Sequence, residues 1–324
     1  GDLATYQKYL KPDIAVVTSV SPEHMENFPG GLAEVAQEEL SITAYSGLTI
    51  VNHDDVDGSF AQYAKTSNLT DYGINGGEYR IEVTGGSPLQ GYQVNLYAPG
   101  LHQPITTTLH LLGNHMLKAA CAAFAVGMRL GMAPSAIAEQ LTQLRPVAGR
   151  MNPLPGRKGS VLIDDTYNSS PVAAIAALQT LYQIEAPQRI AILGTMNELG
   201  NYMAAAHQQV GQYCDPMLLD WVITIGDMAG QYLAPMARKM GCQVRTFNDP
   251  LSAGTFASQV LKENAAVLIK GSQNKVFAEE ATKVLLRDTN DKDKLVRQDD
   301  YWLKRKQDWY AELHNQTGDE LDNE

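Results

Sequence analysis

The sequence predicts an α/β protein in two parts: a mixed sheet carrying an antiparallel meander, then a doubly wound parallel sheet. Three observations carry that expectation. From Ser160 onward, short apolar runs alternate with helical patterns, as βαβ units do. Over residues 69–97, glycines instead separate short alternating segments such as Tyr79-Arg80-Ile81-Glu82-Val83, the pattern of an antiparallel meander. Between the two lies Arg145-Pro146, where a helical pattern should stop. The chain of 324 residues is long enough for two cores. The expected divisions are 1–145, 146–290 and a charged helical tail over 291–324.

Taken in order, residues 2–10 read as helix and 13–20 as a short buried strand. Leu32, Val35, Ala36, Leu40 and Ile42 recur at helical spacing within 31–45. A strand is expected over 47–52 and a helix over 56–65, before the meander. The helix over 116–130 is rich in small residues, with Ala119, Ala120, Ala122, Ala123 and Ala125 allowing close packing. Pro134 sits in the first turn of the next helix, over 134–144. In the second part the strands fall at 161–163, 189–193, 221–225, 243–247 and 266–269. Helices are expected at 172–182, 203–213, 228–240, 250–261 and 276–286. Trp302, Leu303 and Trp309, in a helical run over 301–313, are expected to dock on this part, with disorder from Gln316.

Bulk composition excludes several classes. A hydrophobic fraction of 44% and a charged fraction of 19% describe a globular chain. The net charge of −11 argues against a nucleic-acid surface, which needs a basic stripe. No apolar run reaches the length of a membrane span, and no signal-peptide core opens the chain. Cys121, Cys214 and Cys242 have neither disulfide-framework nor zinc spacing and fit a reducing cytoplasm.

The stretch of most chemical interest is Gly149-Arg150-Met151 followed by Val161-Leu162-Ile163-Asp164-Asp165-Thr166-Tyr167-Asn168-Ser169-Ser170-Pro171. Ligands bind at the carboxyl ends of strands in open α/β sheets. A cation upstream and carboxylates at the strand end suit a nucleotide, with Arg150 on phosphate and Asp165 on ribose hydroxyls. The plain alternative is a strand-to-helix loop closed by an Asx turn.

These residues resemble the segment that opens the C-terminal domain of the Mur ligases, ATP-dependent enzymes that add amino acids to the peptidoglycan precursor. The block Ala191-Ile192-Leu193-Gly194-Thr195-Met196-Asn197-Glu198-Leu199-Gly200 resembles the next strand and loop of the branch that adds D-Ala-D-Ala. Leu268-Ile269-Lys270-Gly271-Ser272 resembles its later Lys-Gly-Ser loop. The resemblance runs from about residue 3 to about residue 286. It implies a Rossmann-like second domain and the C-terminal part of a central ATP-binding domain before it.

The resemblance also implies roles. His24, in the stretch KPDIAVVTSVSPEHMENF, falls on the family histidine near Mg²⁺. Glu39 aligns with a lysine that the family carbamylates; its carboxylate could replace that group as an oxygen ligand, or belong to a solvated helix face. His115 and Lys118 fall beside the nucleotide, though Met116 and Lys118 replace two family asparagines. Lys118 cannot accept a hydrogen bond, which removes one adenine contact. Arg150 and Asp165 fall on phosphate and ribose. Asn168, Lys270 and Ser272 face the incoming dipeptide, Lys270 also as a catalytic group. Gln273 replaces a family arginine, and Glu198 and His207 frame the same face.

The implied activity is amide-bond formation through an acyl-phosphate, with ATP and Mg²⁺ as cofactors and a UDP-muramoyl peptide and D-Ala-D-Ala as substrates. A monomer is expected. No Gly-x-x-x-x-Gly-Lys-Ser/Thr loop occurs in the sequence, so the chain is expected to be the C-terminal two-thirds of such a ligase and inactive by itself. The alternatives are another amide ligase, of the folylpolyglutamate type, or a non-catalytic module binding nucleotide or a partner.

Overall fold

A computed structural model describes residues 2–22 and 25–321. The chain folds into two compact units, Gly1–Pro146 with Glu198–Tyr202, and Val147–Asn197 with Met203–Glu324. The expected site residue His24 lies outside the described residues.

The first unit holds α1 (Asp2–Tyr6), β1 (Ile14–Val17), α2 (Leu32–Leu40), β2 (Leu48–Asn52), β3 (Leu69–Gly73), β4 (Tyr79–Ser87), β5 (Gly91–Tyr97), β6 (Ile105–Leu109), α3 (Asn114–Arg129) and α4 (Pro134–Leu141). Its six strands form one sheet in sequence order. β1, β2 and β3 run parallel, while β4, β5 and β6 form the antiparallel meander. The meander therefore starts one strand later than the glycine pattern suggests, because β3 pairs parallel with both β2 and β4. Alternation works as expected on β4, where Tyr79 and Ile81 are buried and Arg80 and Glu82 are not. Those inward residues meet α3, with the Tyr79 ring edge-on to Phe124 at 6.3 Å. Cys121 on the same helix donates from Sγ to the carbonyls of Gly73 and Tyr79, and burial pushes its thiol up to about 12. Residues 58–63 form only 3₁₀ turns rather than the expected helix, with Asp57 accepting from the Ser59 amide. No residue of those turns is buried, so no apolar stripe holds an α-helix there.

The second unit holds β7 (Asn152–Pro155), β8 (Val161–Asp165), α5 (Pro171–Gln183), β9 (Arg189–Gly194), α6 (Met203–Tyr213), β10 (Trp221–Ile225), α7 (Ala234–Lys239), β11 (Val244–Phe247), α8 (Pro250–Val260), β12 (Ala266–Lys270), α9 (Glu279–Leu285) and α10 (Asp300–Leu321). The strand order is β11-β10-β9-β12-β8-β7. Five strands are parallel; β8, β9, β10 and β12 are buried and largely apolar, as strands covered on both faces must be, while the edge strand β11 exposes Arg245 and Thr246. From β8 the chain steps through β9 and β10 to β11, then α8 returns it to β12, between β9 and β8. Right-handed crossovers thus place α5, α6 and α7 on one face and α8 on the other. The reversal at β9 and β12 opens a crevice at their carboxyl ends.

Three features depart from the expected pattern. β7 adds an antiparallel edge strand to β8, and its Pro153 and Pro155 are tolerated because an edge strand can do without a donor. The helix expected over 228–240 begins as a π-helical turn, Ala229–Leu233, before α7. Pro235 follows directly, and a widened turn is one way to accommodate a residue without an N–H. The helix expected from 276 starts at Glu279, because Lys275 and Phe277 take positive φ angles of 60° and 46°.

The tail docks as expected. Phe277 is buried, and the rings of Trp302 and Trp309 lie edge-on to it at 6.4 and 5.4 Å. α10 continues to Leu321, past Gln316, from which disorder is expected. Beneath the helix sits a buried ion network. Glu279 accepts from Arg297 Nε and Nη2 at 2.8 and 2.6 Å and pairs with Lys306 Nζ at 2.8 Å. Lys306 also donates to Glu280 at 2.6 Å. Removing one partner leaves a buried charge without compensation. Glu279→Gln is therefore expected to cost about 3–5 kcal/mol in a denaturant titration. A loss below about 1 kcal/mol, the range of an exposed pair, would show that the network contributes little.

Candidate functional site

The carboxyl end of the parallel sheet in the second unit gathers most of the expected residues. β8 delivers Asp164 and Asp165 into the interior, at 0% and 5% exposure. Asp164 accepts from the Gly149 amide at 2.9 Å and from Thr166 Oγ1 at 2.6 Å. Asp165 accepts from the Met151 amide at 3.1 Å and from Lys270 Nζ at 2.7 Å. The two carboxylates thus clasp the residues on either side of Arg150. That turn needs the help, since Gly149 and Met151 both have positive φ, 69° and 47°. Arg150 itself is exposed, with its guanidinium 4.3 Å from the centre of the Tyr167 ring.

The Asp165 oxygens therefore have internal partners on both sides, and the expected ribose contact would have to share them. Lys270 is only 2% exposed and spends its ammonium on Asp165 and on the Asn168 carbonyl at 2.9 Å. Ser272 Oγ accepts from the Asn197 amide at 3.0 Å and donates to the Ser169 carbonyl at 3.3 Å. Asn197 in turn donates from Nδ2 to the Asn274 carbonyl at 2.8 Å. Three strand-end loops are knitted together by these bonds. Ser170 caps α5 by accepting from the Ala173 amide, with Pro171 in the first turn. His207 is fully buried: Nε2 accepts from the Met196 amide at 3.0 Å and Nδ1 donates to the Met203 carbonyl at 2.8 Å. Burial lowers its pKa, and its two hydrogen bonds brace the loop after β9.

Beside these loops is a cleft of about 270 Å³ lined by Thr195, Asn197, Asp227, Asn274, Lys275 and Glu312, among others. Sequence reasoning missed Asp227. Asp227 follows directly on the β10 strand end and Gly226, so the strand-end rule could have found it. Glu312 arrives on α10, and no local signal announces that placement.

The first unit holds the other expected residues. His115 is half-buried in the first turn of α3. Lys118 forms an ion pair with Asp55 at 2.6 Å, a partner 63 positions away that neutralises its charge. Glu39 lies on the exposed face of α2. Among the described residues, no group of three or more His, Cys, Asp or Glu is placed to hold a metal ion.

Comparison with known proteins places this geometry in a family. The Mur ligase middle domain matches residues 1–127, and the Mur ligase glutamate ligase domain matches residues 149–273. The chain belongs to the Mur ligase family. Among curated relatives, the UDP-N-acetylmuramoyl-tripeptide–D-alanyl-D-alanine ligase of Haemophilus influenzae is 33% identical over 225 residues, 68% of this chain and 48% of the relative. The ligase of the same name from Escherichia coli is 28% identical over 297 residues, 86% of this chain and 61% of the relative. The chain thus spans roughly half to three-fifths of the length of these relatives. Among solved structures, MurF from Acinetobacter baumannii superposes with a TM-score of 0.71 at 24% identity, over 86% of this chain and 61% of that one. MurF ligase from Thermotoga maritima, solved with ADP, gives 0.72 at 22% identity, over 87% and 65%. These likenesses carry the fold: two α/β units, each with a six-stranded sheet. No helix among the described residues is long and apolar enough to cross a membrane.

The clasp at Arg150 predicts a pH signature. Burial, opposed by its two hydrogen bonds, raises the Asp164 carboxyl from 3.8 to about 6. A raised carboxyl pKa means that the folded state holds its proton more tightly. The stabilisation is full below pH 4 and is lost as pH rises through 6. The stability difference between the unmodified chain and Asp164→Asn should then fall by roughly 3 kcal/mol from pH 4 to pH 7. Urea titrations across that range measure it, and a constant difference would refute the assignment.

Proposed function

We propose that this chain is the part of an ATP-dependent ligase that closes over nucleotide and receives the incoming amine, and that the reaction joins D-Ala-D-Ala to a UDP-muramoyl tripeptide. The observation that carries the reading is the Arg150 arm, held by two buried carboxylates at the end of a strand of the same sheet whose other strand ends line a cleft. The names of the relatives supply the substrates.

In this reaction the terminal phosphoryl group of ATP passes to a carboxylate oxygen of the tripeptide. The amine of the dipeptide then attacks the acyl carbon, loses a proton, and phosphate leaves. Arg150 offers a planar fork of donors to phosphate oxygens, and stacking on Tyr167 limits the conformational freedom lost on binding. The dipeptide is a zwitterion. The cleft offers Lys275 for its carboxylate and Asp227 and Glu312 for its ammonium, with Asn168 and Ser272 on the adjoining loops. Asp165 and Lys270 work as an internal pair that sets the Asn168 loop rather than as ligand contacts. His115 stands as a nucleotide neighbour, and Lys118, neutralised by Asp55, as a support for the β2–α3 contact. Mg²⁺ would neutralise phosphate charge, with His24 and Glu39 as its proposed ligands. Three buried free cysteines suit a reducing, cytoplasmic setting.

Phosphate release and amide product are measured with ATP, Mg²⁺, UDP-muramoyl tripeptide and D-Ala-D-Ala, and in parallel with glutamate and a folate. By itself the chain is expected to be inactive, and within a ligase that supplies the phosphate loop turnover is expected only with the first set. In a calorimetric titration D-Ala-D-Ala should bind, and Lys275→Ala should weaken it roughly 10- to 100-fold, the loss of a charged hydrogen bond. Turnover with glutamate and folate alone would move the assignment to a folylpolyglutamate-type ligase.

A further inference from the structure

The matched glutamate ligase domain ends at residue 273, and the chain after it does more than cover an apolar patch. Arg297 is 8% exposed and turns its guanidinium two ways. One edge meets Glu279 as a bidentate pair, Nε and Nη2 to the two carboxylate oxygens. The other edge donates from Nη1 to the Tyr167 carbonyl at 3.0 Å and from Nη2 to the Thr166 carbonyl. Arg297 is itself fixed, since Lys306 Nζ donates to its carbonyl at 2.8 Å and Trp302 lies 5.9 Å over its guanidinium.

Those two carbonyls belong to the loop between Asp165 and Asn168. The Tyr167 amide donates to the Gly149 carbonyl at 3.0 Å. Tyr167 is therefore tied at its N–H to the Arg150 turn and at its C=O to Arg297. Its ring, 45% exposed, has no burial to orient it, so the tethered backbone must. Arg150 stacks on that ring. Only a guanidinium has a planar set of donors that can serve a carboxylate and two successive carbonyls together.

We propose that Arg297 is a positioning residue for Arg150, acting through the Thr166 and Tyr167 carbonyls and the Tyr167 ring. The proposal rests on the reading of Arg150 as a nucleotide contact for its functional weight, but not for its structural content.

The test uses Arg297→Lys and Arg297→Gln in the full chain. Glu279 keeps Lys306 as a partner in both, so both are expected to fold. NMR relaxation of the Arg150 Nε–H and hydrogen exchange of the Tyr167 amide are the readouts. In both variants the Arg150 signal should become that of a freely moving side chain and the Tyr167 amide should lose protection. Protection of the β9, β10 and β12 amides should stay unchanged. Arg150 remaining ordered, or protection falling equally throughout the unit, would overturn the proposal. Tyr167→Ala, at an exposed side chain, must also free Arg150, and an ordered Arg150 without the ring would overturn it independently of Arg297.

Titration with MgADP adds the functional arm. Arg150→Ala and Arg297→Lys should each weaken binding, roughly 2- to 100-fold, and the double variant should be no weaker than Arg150→Ala alone. Additive losses would refute action through Arg150. Unchanged binding by Arg150→Ala would sink the nucleotide role of that residue, while relaxation and exchange still decide whether Arg297 positions it.

Discussion

The second unit depends on two adjacent carboxylates at the end of one strand. Successive residues of a strand point to opposite faces, so Asp164 and Asp165 cannot serve one partner. They reach instead to either side of Arg150, one accepting from Gly149 and the other from Met151. Burying two acids is costly unless each oxygen is satisfied, and here each has a donor. The result is a chain reversal that would be strained in isolation, held open with its one long cation pointing outward. Lys270, on the neighbouring strand in register with Asp165, compensates the second carboxylate. The strand pairing, the buried ion pair and the outward arginine are therefore parts of one arrangement.

The same economy of groups runs through the surrounding loops. Ser272, Asn197 and His207 spend their polar atoms on backbone amides and carbonyls of neighbouring loops. Residues that look like ligands in a sequence are thus often the supports of the site. The groups with capacity left for a ligand lie one layer further out, on Arg150 and around the cleft.

How much was legible follows from the range of each interaction. The alternation of strands and helices was readable because each run carries its own apolar period and its own start signal, as at Ser170-Pro171 before α5. The strand-end position of Asp164 and Asp165 was readable too, since the apolar run Val161-Leu162-Ile163 leads straight into them. Partners distant in sequence were not. The ion pair of Lys118 with Asp55 and the inward turn of His207 on α6 both join residues or elements that no local pattern connects. The parallel pairing of β3 and the edge placement of β7 also depend on register, which no local pattern states. Arg297 was invisible for the same reason, because its meaning lies in two carbonyls 130 and 131 positions upstream.

β7 has one more consequence. A parallel sheet ends in a row of unmatched backbone groups, which another chain can extend strand by strand. Here the terminal position on the β8 side is taken by a strand of four residues, two of them prolines. Proline offers no N–H to a newcomer, so that border of the sheet is a poor template for growth. A unit whose central strands are almost wholly apolar, and which would otherwise be prone to stacking with its own copies, is in this way kept apart from them at high concentration on that side.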